Sequence, residues 1–184
     1  MEELGRDLTC SPMLGSAVLA AQALLAAGAA RRALDLTVGY AMTRVQFGQV
    51  IGGFQALRHR MADLHVLVES ARSLCRAAAT AAADAADAGD AADLPDGADA
   101  GLGMRAAAVK VYCCDVLTRT AAEMIQLHGA IGITWEHPAH RYLKRAHGDR
   151  HLFGRPDRHA AVIAASLLDG LLLTLTNSRP ETPT

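Results

Sequence analysis

The chain has 184 residues, of which 51% are hydrophobic, 4% aromatic and 20% charged, and its formal net charge at pH 7 is -1. That length suits one domain with a sizeable core, and so small a net charge gives no electrostatic basis for binding nucleic acid or an anionic membrane. Alanine and leucine supply much of the apolar share, with few β-branched runs, which favours helix.

In chain order, Glu2 to Leu8 reads as a short helical turn ending near Ser11 and Pro12. This start is charged and lacks the apolar centre of an export signal. Met13 to Ala27 reads as a very apolar helix stopped around Gly28. It shows little amphipathic alternation, so it is expected to be buried on most sides or to form a docking face. Ala29 to Thr43 follows as a second, amphipathic helix with Arg31, Arg32 and Asp35 at its polar start. Arg44 to Gly53, interrupted by Gly48, Gly52 and Gly53, reads as a structured loop.

Phe54 to about Ala88 is predicted as a long helix. Leu57, Met61, Leu64, Val68, Ala71 and Ala78 recur along it at three- and four-residue steps, the seam of an antiparallel bundle. From Asp84 to Gly103 the composition shifts to Ala, Asp and Gly with Pro95, which reads as a flexible acidic connection. Helix resumes at about Met104 and runs to His128, with Ala108, Val111, Val116, Met124 and Leu127 as candidate core positions. Pro138 to about Phe153 reads as a short basic helix. Pro156 then opens a last helix that ends near Leu175, before a polar tail at 178–184. Its apolar run is interrupted by Asp169 and falls short of the roughly 20 residues that span a bilayer. No strand-period segment of useful length occurs, so the fold class is all-α, an antiparallel bundle of four or five helices.

The stretch Gln126 to Arg145 carries the most chemistry. It turns through Gly129 and Gly132, presents the single carboxylate Glu136, and re-enters a helix bearing His140, Arg141, Lys144 and Arg145. An acid on a loop between rigid elements stands where catalytic groups are often placed; the plainer alternative is a cap for the next helix. His137 with His140, or His147 with His151, have helical spacing, but metal binding needs a third ligand and a supporting shell. Arg141, Lys144, Arg145 and Arg150 crowd these pairs with positive charge, so no metal site is expected. Cys10, Cys75, Cys113 and Cys114 show no CxxC spacing, and reduced thiols in a cytoplasmic protein are the expectation. Cys113 and Cys114 read as small core residues.

Two motifs then stand out together: R-V-Q-F-G-Q-V-I-G-G-F-Q from Arg44 and Q-L-H-G-A-I-G-I-T-W-E-H-P from Gln126, separated by a long helix. In that order and placement they resemble the C-terminal helical domain of the flavin-dependent acyl-CoA dehydrogenases, over about Ala29 to Phe153. The T-W-E-H version looks like an actinobacterial-type branch acting on bulky acyl-CoA thioesters such as steroid side chains. The resemblance implies α,β-desaturation of an acyl-CoA with FAD as cofactor, and Glu136 as the base that removes the α proton. A free glutamate is a weak base for that proton, so burial against Trp135 and Ile133 is expected to push its pKa upward.

By the same resemblance Arg44 matches an arginine on the flavin diphosphate, a task that suits a guanidinium. Phe47 matches an aromatic beside the adenine, and Gln55 lies near cofactor-contacting positions of the next helix. Gln126, His128, Gly129 and Ala130 fall on a Q-x-x-G-G segment that cradles the adenine end of a neighbouring subunit's FAD. The plainer alternatives are core packing for Phe47, a surface ion pair for Arg44 and a helix end for Gln126. Ala130 stands where the family has its second glycine, and Phe153-Gly154-Arg155-Pro156-Asp157 replaces an E-G-T-S-Q segment of many relatives.

Complete family members also have an N-terminal helical domain and a middle β domain. Residues 1–28 resemble part of the former, joined almost directly to the bundle at 29–177, as if by a large internal deletion. Two functions follow as expectations. One is a dehydrogenase component that is inactive by itself; the other is a noncatalytic bundle. Either is expected to associate with itself or with a full-length dehydrogenase chain, because faces that meet the absent domains stay apolar.

Overall fold

A computed structural model of the chain describes residues 12–87 and 98–177. The expected turn at Glu2 to Leu8, Cys10, Pro95 and the tail lie outside the described residues. Five α-helices are described: α1 (Pro12–Thr43), α2 (Gln55–Asp87), α3 (Ala98–His128), α4 (Ala139–His151) and α5 (Pro156–Asn177). The class is all-α, as expected. α3 is the central element and touches each of the other four helices, α1 most extensively.

Three expectations are corrected. The helix does not stop at Gly28, because α1 runs unbroken from Pro12 to Thr43. A helical glycine costs only about 1 kcal/mol relative to alanine, and the buried stripe Ala23, Ala26, Ala27, Ala30 and Ala33 outweighs it. The acidic connection is also shorter than expected. Residues 84–87 belong to α2 and 98–103 to α3, as alanine-rich sequence allows; residues 88–97 lie outside the described residues. Finally, Ala108 is exposed, since Ala106, Ala107, Val109 and Lys110 turn toward the core and leave it on the opposite face.

The α2 seam is as expected, with Met61, Leu64, Val68 and Ala71 buried and Leu57 and Ala78 half-buried. The core joins alanines of α1 to Val109, Cys113, Val116 and Leu117 of α3 and to Leu64, Val68 and Cys75 of α2. Small α1 side chains let it lie close against α3. Cys75 and Cys113 meet there as free thiols with sulfurs 3.6 Å apart, and Cys114 is also buried.

A buried lysine fixes α4 to this core. Lys110, mid-α3 and 0% exposed, donates to Gln22 Oε1 of α1. It also donates to the backbone carbonyls of Asp149 at 2.7 Å and Leu152 at 2.9 Å. Gln22 Nε2 adds a bond to the Asp149 carbonyl at 3.1 Å. Carbonyls at a helix C-terminus have no partner within the helix and carry the negative end of its dipole, so an ammonium there is doubly favoured.

The loop after α1 contains a feature too short to show a strand period. Val45–Gln46 (β1) pairs antiparallel with Gln49–Val50 (β2), closed by Phe47 at φ 53° and Gly48 at φ 81°. Two successive left-handed residues match the twist of a tight hairpin. Short 3-10 turns follow at Ile51–Gly53 and, after α3, at Gly129–Ile133.

Candidate functional site

The end of α1, the hairpin and the end of α3 enclose an open groove of about 500 Å3. It brings together six of the residues expected at a cofactor: Arg44, Phe47, Gln126, His128, Gly129 and Ala130. Gln55 is not among them. It is exposed at the start of α2, while its neighbours Phe54 and Leu57 line the groove instead.

Each lining residue is positioned by local structure. The Arg44 N–H donates to the Tyr40 carbonyl and its own carbonyl accepts from Ile51, both at 2.8 Å. Its guanidinium is exposed and has no ion pair among the described residues. Phe47 is not core: it is 93% exposed at the hairpin tip, edge-on to Phe54 with ring centres 6.3 Å apart. A left-handed backbone beneath an exposed aromatic is unfavourable by itself, which makes it a candidate contact. Gly129 sits at φ 65°, where a side chain would strain the turn. Gly132 is needed for closeness: a Cβ there would meet the Ile125 carbonyl oxygen at 3.0 Å and His128 Cβ at 3.1 Å. Ala130 is exposed, so its methyl projects without displacing the backbone.

His128 plays a part the sequence did not single out. It is buried, with Nδ1 2.7 Å from the Met124 carbonyl, and it stacks on Tyr40 of α1 at 4.4 Å. His137 lies against its ring at 4.3 Å. Tyr40 and His128, 88 positions apart along the chain, thus stack in the lining of the groove, with the tilted His137 ring against His128.

Glu136 is elsewhere and does not line the groove. The expected burial is not found: Glu136 is exposed, and Trp135 and Ile133 are each 75% exposed. Its own backbone N–H, then the polar Thr134 side chain, hold its carboxyl below the usual carboxylate range. The upward shift is therefore corrected, because no part of the described chain covers the loop and removes its water. Trp135 leans on α4 instead, edge-on to His140 at 4.8 Å and 4.3 Å beneath the Lys144 ammonium.

Among the described residues no group of three or more His, Cys, Asp or Glu is arranged to hold a metal ion. No helix there is long and apolar enough to cross a membrane. Large apolar side chains do remain uncovered, including Leu24 and Leu25 on α1 and Val162, Leu167 and Leu168 on α5.

Residues 19–168 match the model of the acyl-CoA dehydrogenase C-terminal domain. The chain is 47% identical over 129 residues to acyl-CoA dehydrogenase IpdE2 of Mycobacterium tuberculosis, covering 70% of this chain and 35% of that protein. Its fold is similar to the ChsE4-ChsE5 complex of Mycobacterium tuberculosis (TM-score 0.72, 27% identity, 94% of this chain and 40% of that one). It is also similar to the steroid ACAD Tcur3481-Tcur3483 (TM-score 0.75, 25% identity, 88% of this chain and 41% of that one). The chain spans about a third of the length of IpdE2. With both motifs in place on the matching bundle, the chain belongs to the acyl-CoA dehydrogenase family, of which it carries the C-terminal helical domain.

Proposed function

We propose that this chain is the C-terminal component of an FAD-dependent acyl-CoA dehydrogenase that introduces an α,β double bond into a bulky acyl-CoA thioester. The observation that carries this reading is the groove. It offers a guanidinium (Arg44), an exposed aromatic ring (Phe47), a primary amide (Gln126) and a bare backbone (Gly129) within one open cleft. That combination suits a ligand with a flat aromatic end and a diphosphate, and FAD has both. Arg44 would pair with the diphosphate, Phe47 and the Gly129–Ala130 backbone would hold the adenine, and Gln126 would orient it. When bound, FAD supplies the acceptor for the substrate's β hydride.

Glu136 would remove the α proton. Its depressed pKa keeps it ionised at neutral pH and so able to accept, but it is a feeble base while wet. Covering the loop with substrate and a second protein wall would remove water, raise the carboxyl pKa and make proton transfer effective. This is the reason for a second proposal, that the chain alone is inactive and works against another dehydrogenase chain. The assay is desaturation of an acyl-CoA with an artificial electron acceptor. The purified chain alone should show none, while co-purification with a chain that supplies the missing wall should give activity lost in Glu136→Gln. Turnover by the chain alone would contradict the two-chain reading.

A noncatalytic role is favoured by one specific observation, that apolar side chains of α1 and α5 are exposed while Glu136 is uncovered. In that reading the bundle is a structural partner, and Glu136→Gln leaves the activity of the partner complex unchanged.

A further inference from the structure

Of the buried thiols in the core, two are paired and the third is not. Cys75 on α2 and Cys113 on α3 hold their sulfurs 3.6 Å apart, and both are free. A disulfide bond is about 2.05 Å long, so about 1.5 Å remains to be closed. Cys114 follows Cys113 in the chain but points roughly 100° away around α3. Its Sγ donates instead to the Asp149 carbonyl, at 3.7 Å.

The pair is reached from one side. An open cleft of about 460 Å3 between α1 and α2 has Cys75 in its lining, with Ala27 and Gly28 on the α1 side. Both of these are small, and a Cβ added at Gly28 would meet nothing within 4 Å. Cys75 keeps 4% of its surface exposed, whereas Cys113 is fully buried and does not line the cleft. The hydrogen bond between the thiols divides their chemistry in the same direction. Cys113 holds the Cys75 thiol below the usual range against the opposing effect of burial. Cys75, then burial, push the Cys113 thiol up. A cysteine attacks as its thiolate, so the thiol facing the cleft is the nucleophile of the pair.

We propose that Cys75 and Cys113 are an oxidation site: a peroxide entering the α1–α2 cleft is reduced by Cys75, and Cys113 resolves the product into a disulfide that staples α2 to α3. The Cys75 sulfur attacks one peroxide oxygen and the O–O bond breaks, leaving a sulfenic acid on Cys75. The departing hydroxide takes the Cys75 proton as water. The Cys113 sulfur then attacks the Cys75 sulfur, the S–O bond breaks, and the second hydroxide takes the Cys113 proton as water. Two thiols and one peroxide thus give one disulfide and two waters, the sulfurs together losing the two electrons that the oxygens gain. A dithiol reductant reverses the bond by exchange.

The test treats the folded full chain with hydrogen peroxide, blocks the remaining thiols by alkylation and maps tryptic peptides without reduction. The expected product links Ser73–Arg76 to Val111–Arg119 through Cys75 and Cys113, with Cys114 alkylated. No linked peptide, or a link made by Cys10 or Cys114 instead, would overturn the proposal. That measurement needs no variant. Cys113→Ala should stop at a Cys75 sulfenic acid that dimedone traps, and Cys75→Ala should leave Cys113 unmodified. Absence of the trapped adduct, or oxidation of Cys113 without Cys75, would overturn the assigned roles. Gly28→Met fills the cleft and should slow the reaction severalfold with the same product; an unchanged rate would overturn the route of entry. Oxidation should also raise the melting temperature, because the link joins residues 38 positions apart and restricts the unfolded chain. An oxidised chain that melts no higher than the reduced one would overturn the staple.

Discussion

The groove and the Glu136 loop lie at the two ends of one short turn, and they are built to different degrees. The groove is assembled from rigid ends: the last turn of α1, a hairpin closed by two left-handed residues and the last turn of α3. The loop presents its acid in water, with Ile133 and Trp135 each 75% exposed beside it. On the proposed reading, the bundle offers an open groove for one end of the cofactor and only one wall of a reaction centre. A carboxylate acquires the proton affinity of a base from what covers it, and that cover is what the described residues lack.

The largest effect should come from the buried lysine that fixes the end of α4 to the core. Lys110→Met leaves the Leu152 carbonyl and Gln22 Oε1 without their lysine donor and the Asp149 carbonyl with Gln22 Nε2 in its place, and should cost about 3 kcal/mol, lowering the melting temperature by roughly 10 °C. A melting temperature within the error of the unaltered chain would mean that α4 is held by packing alone. Gly132→Ala should cost about 2 kcal/mol, because a Cβ would press on the Ile125 carbonyl at 3.0 Å. It should also weaken ligand binding in the groove, since the Gly129–Ile133 turn must shift; calorimetric melting and FAD titration check the two parts.

Smaller effects separate groove from loop. Arg44→Ala should leave melting unchanged, its guanidinium having no ion pair among the described residues. FAD affinity should fall about tenfold, the size of one charge-assisted hydrogen bond. Glu136→Gln should leave both melting at neutral pH and FAD affinity unmoved, because the acid is exposed and outside the groove, while abolishing turnover in the two-chain assay. A loss of FAD affinity in Glu136→Gln would join the two regions and remove the distinction.

The all-α class, the α2 seam and six of the groove residues were legible from the sequence, because helical periodicity and two spaced motifs are local signals. Gly28 was misread for a physical reason: glycine weakens a helix by less than a run of buried alanines strengthens it. Ala108 was misplaced because alanine is compatible with either face of α3. Lys110 was not legible at all. A lysine is read as surface by default, and its acceptors come from Gln22, Asp149 and Leu152, which only the tertiary fold brings near. The stack of Tyr40, His128 and His137 is hidden in the same way. The exposure of Glu136 depends on what else meets the loop, and no pattern within the chain encodes it.

The measurement closest to the central claim is an equilibrium titration of the purified chain with FAD, followed by flavin fluorescence, with ADP as competitor. The groove reading predicts saturable binding that ADP displaces and that Arg44→Ala weakens about tenfold. Absence of saturable binding, or binding indifferent to both ADP and Arg44→Ala, would contradict the assignment of the groove to the adenine and diphosphate end of the cofactor.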